Sequence, residues 1–231
     1  MSTLYISNKN YSSWSLRPWL LMRQLGIGFE EKLVPFSEGS SHESFKRFKR
    51  FAPHGKVPCL HDGNEVVWDS LAIVEYLAEH HDGVWPADAS ARIWARSASA
   101  EMHSGFSALR NCCTMNCGIR VQLGEVPQAL LQDDIARIDE LWSEGLARFG
   151  GPFLAGKSFH AVDAMYAPVA LRIQTYGLNL SDHAATYAQR LRELPAMQEW
   201  YAAALRETWR EPGHEAEAKA SGIWLEDLRA K

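Results

Sequence analysis

Apolar residues in the first 82 positions fall into short runs that alternate with helical stripes. The runs at 4–7, 29–34, 57–60 and 65–68 predict four strands. The last two flank an Asp62-Gly63 pair, which is typical of a hairpin turn. Helical spacing over 16–25 and 71–81 predicts two helices, and the polar, partly basic segment 38–49 stands where another one fits. The resulting order, β-α-β-α-β-β-α, predicts a compact α/β unit.

From residue 91 onward the pattern is helical only. The clearest apolar stripe consists of Leu131, Ile135, Ile138, Trp142, Leu146 and Phe149. Further helices are predicted over 163–175, 186–194 and 195–206. The intervening residues 83–90 have the Gly, Pro, Asp and Ser content of a linker. We therefore predict an α/β domain over 1–82, a linker over 83–89 and an all-helical domain over 90–231, with a partly ordered tail from Glu207.

Composition narrows the class of protein. The chain has 24 Lys plus Arg and 28 Asp plus Glu, and this net charge of −4, without a basic stripe, argues against nucleic acid as a partner. The N-terminal residues lack the pattern of a signal peptide, and no segment has the length of a membrane span, so no membrane partner is expected. The cysteines Cys112, Cys113 and Cys117 are too close together for a disulfide framework and lack a second pair at zinc spacing. We expect free thiols, no metal and a reducing compartment, the cytoplasm.

Residues 10–17, Asn-Tyr-Ser-Ser-Trp-Ser-Leu-Arg, join the first predicted strand to the first helix. Free amide groups and the macrodipole at a helix start favour an anion there, and a serine hydroxyl can donate a hydrogen bond to it. Lowering the pKa of a thiol from about 8.5 by one unit requires about 1.4 kcal/mol, which such a site can supply. The alternative is that these serines are ordinary N-caps, which taken alone is the commoner role.

Two further segments suit a peptide ligand. A cis Val57-Pro58 bond turns the Val57 amide and carbonyl outward, where they can pair with a peptide backbone; a trans proline on an edge strand is the commoner alternative. Asp69-Ser70 begins a helix and can simply cap it. Alternatively, the free backbone amides at this helix start can bind a carboxylate, and the Asp69 side chain can bind an ammonium group.

In order and spacing, these segments resemble the cytosolic glutathione transferase superfamily over most of the chain. Residues 12–17 resemble the Ser-Ser-Cys-Ser-Trp-Arg signature of its zeta class, with Trp14 in place of the cysteine. Residues 55–60 resemble the cis-proline loop of the family, and residues 68–77 its γ-glutamyl-binding segment. The resemblance implies a serine-type enzyme with a thioredoxin-like α/β N-terminal domain, an all-α C-terminal bundle and a homodimeric assembly.

The resemblance also implies roles for individual residues. Ser12 is the first candidate for the hydrogen bond to the glutathione thiolate, with Ser13 as runner-up, and Arg17 stabilises charge on the second substrate. The expected glutathione contacts are Lys56 with the glycyl carboxylate, Val57 beside cis Pro58 with the cysteinyl backbone, and Asp69 and Ser70 with the γ-glutamyl end. The electrophile pocket is expected to include Trp14, His103, Phe106 and Arg110. Core packing explains Phe106 at least as well, and Trp14 can equally pack between the two domains.

Two positions depart from the family pattern. His160 stands where the buried capping box normally has Ser or Thr, three residues before Asp163. We therefore expect a weaker cap, in which the imidazole accepts the hydrogen bond. Asp69 replaces a longer Glu or Gln.

The predicted function is activation of glutathione as a thiolate for conjugation to a small electrophile, or for a glutathione-assisted isomerisation of zeta type. The alternative is a non-catalytic glutathione-binding protein that acts through its interfaces. A thiol–disulfide oxidoreductase would need a cysteine at the start of the segment 12–15, where this chain has none, and Cys59 beside Pro58 is a weaker redox candidate.

Overall fold

A computed structural model of the chain describes residues 1–230. The first part contains four strands and three helices in the predicted order: β1 Ser2–Ile6, α1 Ser13–Gln24, β2 Phe29–Leu33, α2 Ser41–Phe48, β3 Cys59–Asp62, β4 Glu65–Trp68 and α3 Ser70–His80. In residues 1–230, no helix is long and apolar enough to cross a bilayer.

The four strands form one mixed sheet in the order β2-β1-β3-β4. β1 is parallel to β2, with Leu4 opposite Glu31, and antiparallel to β3, with Leu4 opposite Leu60. β3 and β4 form the hairpin that the Asp-Gly pair predicts. This is the thioredoxin-like arrangement, and it places the carboxyl end of β1 beside the start of α1.

The second part is built around a buried helix. Its elements are α4 Ala89–Ser104, α5 Ser107–Cys112, β5 Ile119–Leu123, α6 Gln128–Phe149, α7 Ala161–Tyr176, α8 Asp182–Glu193, α9 Pro195–Arg206, α10 Pro212–Ala220 and β6 Gly222–Asp227. α7 is buried along most of its length and packs against α1, α4 and α8. Because α1 belongs to the first part of the chain, this packing joins the two parts through one continuous core.

The expectation of helices only beyond residue 91 is wrong in one respect. β5 and β6 form a two-stranded antiparallel sheet, in which Val121 pairs with Trp224. A strand this short, whose partner is about a hundred residues away, has no local hydrophobic pattern that distinguishes it from a helical turn. The predicted fold class is confirmed, with this small sheet added to the helical bundle.

The expectation of a partly ordered tail is also wrong. Residues 212–227 form α10 and β6, and Arg229 holds them together. Its buried guanidinium pairs with Glu215, and also with Asp227 at 2.7 Å. Pro212 starts a helix rather than ending order, since proline fits a first helical turn.

The start of α7 contains only half of the expected capping box. The Asp163 carboxylate accepts from the His160 backbone N–H at 2.8 Å, as in the standard box. The imidazole does not accept in return: its Nδ1 lies 2.8 Å from the carbonyl oxygen of Gly83, to which it can only donate. His160 therefore ties α7 to the segment that follows α3, and the Asp163 N–H bonds to the His160 carbonyl at 3.0 Å instead.

Candidate functional site

A cavity of about 500 Å³ opens where the two parts of the chain meet. Its walls come from the start of α1, from α2, from the loop before β3, and from the helical elements α5, α7 and α10. Six of the predicted site residues line it in two groups, Ser12 with Ser13 and Trp14, and Lys56 with Val57, joined by Arg110. Apolar side chains complete much of the wall: Tyr11, Phe36, Phe45, Phe48 and Met115.

The start of α1 has the geometry of an anion site. Ser12 is the N-cap, and its hydroxyl accepts from the Ser15 N–H at 3.4 Å and lies 2.7 Å from the Ser15 hydroxyl. The helix carries no acidic residue in its first turn. Among residues 1–230, the N–H of Trp14 has no hydrogen-bond partner. The positive end of the α1 dipole therefore faces the cavity without a protein anion.

The two serines differ in how their hydroxyls are used. The Ser12 hydroxyl is held by the cap and by Ser15. The Ser13 hydroxyl makes no hydrogen bond within residues 1–230, although its residue is only 6% exposed and lines the cavity. Ser13 is thus free to donate to a ligand, whereas Ser12 must give up its bond to Ser15 before it donates.

The loop before β3 contains the cis bond that the resemblance implies. The Val57–Pro58 peptide is cis, and Val57 lines the cavity while Pro58 is buried behind it. Within residues 1–230, the Val57 backbone makes no hydrogen bond. Its N–H and C=O are available to an extended ligand. Lys56 is exposed at the same rim.

Asp69 and Ser70 lie outside the cavity lining. Asp69 caps α3 by accepting from the Leu71 N–H at 2.8 Å, and its other carboxylate oxygen is 3.4 Å from Nε2 of His103. Its φ of 75° is in the left-handed region, which costs a non-glycine residue about 1–3 kcal/mol and is retained mainly at functional positions. The Ser70 hydroxyl is buried without a partner in the described residues.

The four residues expected at the electrophile pocket separate into two groups. Arg110 and His103 surround Trp14: the guanidinium carbon of Arg110 is 4.7 Å from its ring centroid, and the His103 ring packs edge-on at 5.3 Å. Arg17 also stacks on Trp14, at 4.3 Å. Phe106 instead packs against Tyr166 in the core and does not line the cavity.

Sequence reasoning missed Arg172 and the α10 residues. Arg172 projects from α7 into the cavity wall, yet it lies within an apolar helix where a single arginine gives no local signal. Glu211, His214 and Glu217 also line the cavity, on the segment expected to be partly ordered.

Positive charge concentrates at one side of this cavity. Arg17 is fully buried, and its pKa is held well below its usual value by burial and by the charges of Arg110 and Arg172. Burial and the Arg110 charge lower the pKa of Arg172 to about 10, and burial also lowers the pKa of Arg110. Like charges that repel one another in a low-dielectric site favour the arrival of an anion.

Two family models match the chain. The N-terminal domain model of glutathione S-transferases matches residues 11–80, and the corresponding C-terminal domain model matches residues 120–203. The chain belongs to the glutathione S-transferase family. The first match contains the start of α1, the cis-proline loop and α3, and the second contains α7, whereas α5 and α10 lie outside both matches.

Named members of this family are distant relatives. The chain is 28% identical to glutathione S-transferase 3 of Zea mays over 158 residues, covering 64% of this chain and 68% of that protein. It is 25% identical over 185 residues to a probable maleylacetoacetate isomerase of Caenorhabditis elegans, covering 78% of this chain and 82% of that protein.

Solved structures of the family share the fold. A glutathione transferase homolog from Burkholderia with bound glutathione superposes with a TM-score of 0.63 at 21% identity, over 88% of this chain and 97% of that chain. The Tau class enzyme of mango, Mangifera indica, superposes with a TM-score of 0.68 at 20% identity, over 94% of this chain and 96% of that chain.

Proposed function

We propose that this glutathione transferase binds glutathione in the cavity, ionises its thiol at the start of α1, and transfers the thiolate to a small electrophile held against α5 and α7. The observation that carries the proposal is the start of α1, where a free Ser13 hydroxyl and an unpartnered Trp14 N–H share the cavity wall. Family membership makes glutathione the expected co-substrate.

The thiolate is stabilised by charge and hydrogen bonds rather than by a protein base. A thiol of pKa about 8.5 is mostly protonated at neutral pH. A helix N-terminus contributes about 0.3–1 kcal/mol, and a hydrogen bond to a charged group about 1.5–3 kcal/mol. Together they lower the thiol pKa by about one to three units, to about 5.5–7.5, so that roughly a quarter or more of the thiol is ionised at pH 7.

The rest of the tripeptide follows from the loop before β3. Its cysteinyl backbone pairs with the free N–H and C=O of Val57, beside cis Pro58. Lys56, exposed at the rim, meets the glycyl carboxylate. The γ-glutamyl group lies toward the start of α3, where Asp69 meets its ammonium group and Ser70 its carboxylate. The left-handed backbone of Asp69 supports a binding role, because such strain is retained mainly at functional positions.

Ser13 is the hydroxyl better placed to donate, and Ser12 remains the candidate that the zeta-like signature favours. Both line the cavity, so their separate removal decides the role. The reaction is conjugation, or, as the name of the Caenorhabditis elegans relative suggests, a glutathione-assisted isomerisation.

The test is the ultraviolet thiolate band of bound glutathione, measured against pH in four proteins: wild type, Ser12→Ala, Ser13→Ala and the control Ser97→Ala. Ser97 is exposed on α4 and donates only to its own helix, so its removal leaves the site intact. In wild type the band appears below pH 7. Loss of the donor raises the thiol pKa by about one to two units and lowers turnover about tenfold or more, while glutathione affinity changes only severalfold.

Each outcome assigns a role. If only Ser13→Ala moves the band, Ser13 is the donor and Ser12 a helix cap; the reverse result restores Ser12. If neither variant moves it, the serine mechanism is wrong. If wild type binds glutathione without any band below pH 7 and turns over no electrophile, the chain is instead a glutathione-binding protein that acts through its interfaces.

Two broader assignments remain proposals. We propose the division into domains 1–82 and 90–231, which the loop between α3 and α4 supports, and a homodimer, which is typical of the family. Light scattering of the purified protein tests the dimer directly.

A further inference from the structure

Arg172 is a buried cation on the cavity wall. Its residue is 4% exposed, its Nε donates to the Cys113 carbonyl at 2.7 Å, and its Nη1 has no hydrogen-bond partner within residues 1–230. A buried guanidinium with an unused donor costs free energy, and in folded proteins such a donor is usually completed by a ligand, an ion or a water molecule.

Two more arginines add to this charge. Arg17 is completely buried behind Trp14, and neither of its terminal nitrogens has a partner in the described residues. Arg110 lines the cavity and donates to the carbonyls of Gly105 and Met102. The Nε of Arg17 donates to the Met165 carbonyl at 3.2 Å, so contacts to carbonyl oxygens fix all three side chains without neutralising them.

The nearest carboxylates are already engaged elsewhere. Asp69 caps α3 and faces His103, and Asp134 accepts from the Leu109 N–H at 2.9 Å. Within residues 1–230, no salt bridge involves Arg17, Arg110 or Arg172. The three guanidinium groups are therefore not ion-paired in the described residues, and the Asp69 and Asp134 carboxylates act on Arg17 and Arg110 only at longer range.

The part of the cavity wall that α10 forms has the opposite charge. Glu211 and Glu217 line it on α10, with His214 between them at 2.6 Å from Glu211. An anion in the cavity is repelled from α10 and drawn toward α5 and α7. The aromatic rings of Phe36, Phe45 and Phe48 leave an apolar space for the rest of such a molecule.

We propose that the second substrate of this enzyme is an organic acid: an electrophile with an apolar body whose carboxylate binds Arg172 and Arg110. A guanidinium matches the two oxygens of a carboxylate, and the stack of Arg17 and Arg110 on Trp14 keeps the cationic wall rigid. This inference rests on the proposed function, because it concerns the electrophile side of the same cavity.

The test measures binding rather than turnover. Titration calorimetry compares 4-nitrobenzoate with its neutral isostere 4-nitrobenzamide, on protein with and without saturating glutathione. Four proteins are used: wild type, Arg172→Gln, Arg110→Gln and the control Arg192→Gln. Arg192 donates to a carbonyl of α7 from α8 and does not line the cavity. Thermal unfolding checks that each variant is folded.

Wild type and Arg192→Gln are expected to bind the carboxylate about tenfold or more tightly than the amide. Arg172→Gln and Arg110→Gln are expected to lose most of this preference while binding the amide as before. If Arg172→Gln does not fold, the inference is tested by Arg110→Gln and by salt. The preference of wild type for the carboxylate should then fall as the ionic strength rises, because an ionic contact is screened by salt.

Two results would overturn the inference. One is equal binding of acid and amide to wild type. The other is a large loss of glutathione affinity in Arg172→Gln, which would assign the arginines to the tripeptide. Failure of the proposed function is seen separately, as absent glutathione binding or an absent thiolate band, because the benzoate preference is also measured on protein without glutathione.

Discussion

The substitution Asp163→Ala tests how the start of α7 is held in place. The carboxylate of Asp163 is fully buried and accepts three hydrogen bonds: from the Leu154 N–H at 3.0 Å, from the His160 N–H at 2.8 Å and from the Tyr187 hydroxyl at 2.8 Å. Alanine leaves all three donors buried and unpaired. Each unpaired donor costs about 1–3 kcal/mol, or roughly 3–9 kcal/mol together.

Part of that cost is offset because the carboxylate itself is expensive to bury. Burial outweighs the hydrogen bonds and raises the pKa of Asp163 from 3.8 to about 6. Two pKa units correspond to about 3 kcal/mol that the ionised group costs at pH 7 and that alanine avoids. Subtracting the second figure from the first leaves a range of about 0–6 kcal/mol, and its midpoint is an expected loss of about 3 kcal/mol in the free energy of unfolding. For a chain of this size that corresponds to a fall in Tm of roughly 6–12 °C.

Urea unfolding followed by circular dichroism at pH 7 measures this loss, and an unchanged slope against urea concentration shows that the two-state assumption holds. The matched control is Asp133→Ala, an exposed position on α6 where a change within about 0.5 kcal/mol is expected. A loss below about 1 kcal/mol for Asp163→Ala would show that the buried network does not stabilise the start of α7.

Three further predictions use the same structure. Because the folded-state pKa of Asp163 is raised, its stabilising contribution is complete below about pH 4 and is lost as pH rises through about 6. Unfolding of wild type and Asp163→Asn should be measured in parallel over that interval. The free energy of unfolding of Asp163→Asn should rise relative to that of wild type by about 3 kcal/mol. Buried Glu207 accepts from the backbone N–H groups of Lys9 at 2.6 Å and Asn10 at 3.2 Å, so Glu207→Ala should loosen the loop before Ser12 and weaken glutathione binding about tenfold or more by calorimetry, with Glu199→Ala on the surface as control. All four cysteines are buried, and burial raises the pKa of Cys59 to about 11 and that of Cys117 to about 12, so a thiol reagent should modify four groups only after unfolding; rapid modification of the native protein would contradict this.

Local sequence was sufficient for the framework of the site. Apolar runs of period two and stripes of period 3.6 depend on neighbouring residues, so they predicted the four strands, the hairpin and the main helices close to their observed bounds. The same holds for the helix start at Ser12 and the start of α3 at Asp69, where a polar side chain meets free amides of its own segment. The cis state of Val57-Pro58 was implied by resemblance and not by composition.

Only the tertiary structure decided what surrounds that framework. Arg172 and α10 reach the cavity because α7 packs against α1 and because Glu207 and Arg229 hold the last segment in place. Long-range packing also determines that β5 pairs with β6 and that Phe106 is buried in the core. A sequence pattern records which face of an element is apolar, but not which distant element covers it. The sequence therefore determined where glutathione's thiol is expected, and the fold alone determined the charge of the wall that faces it.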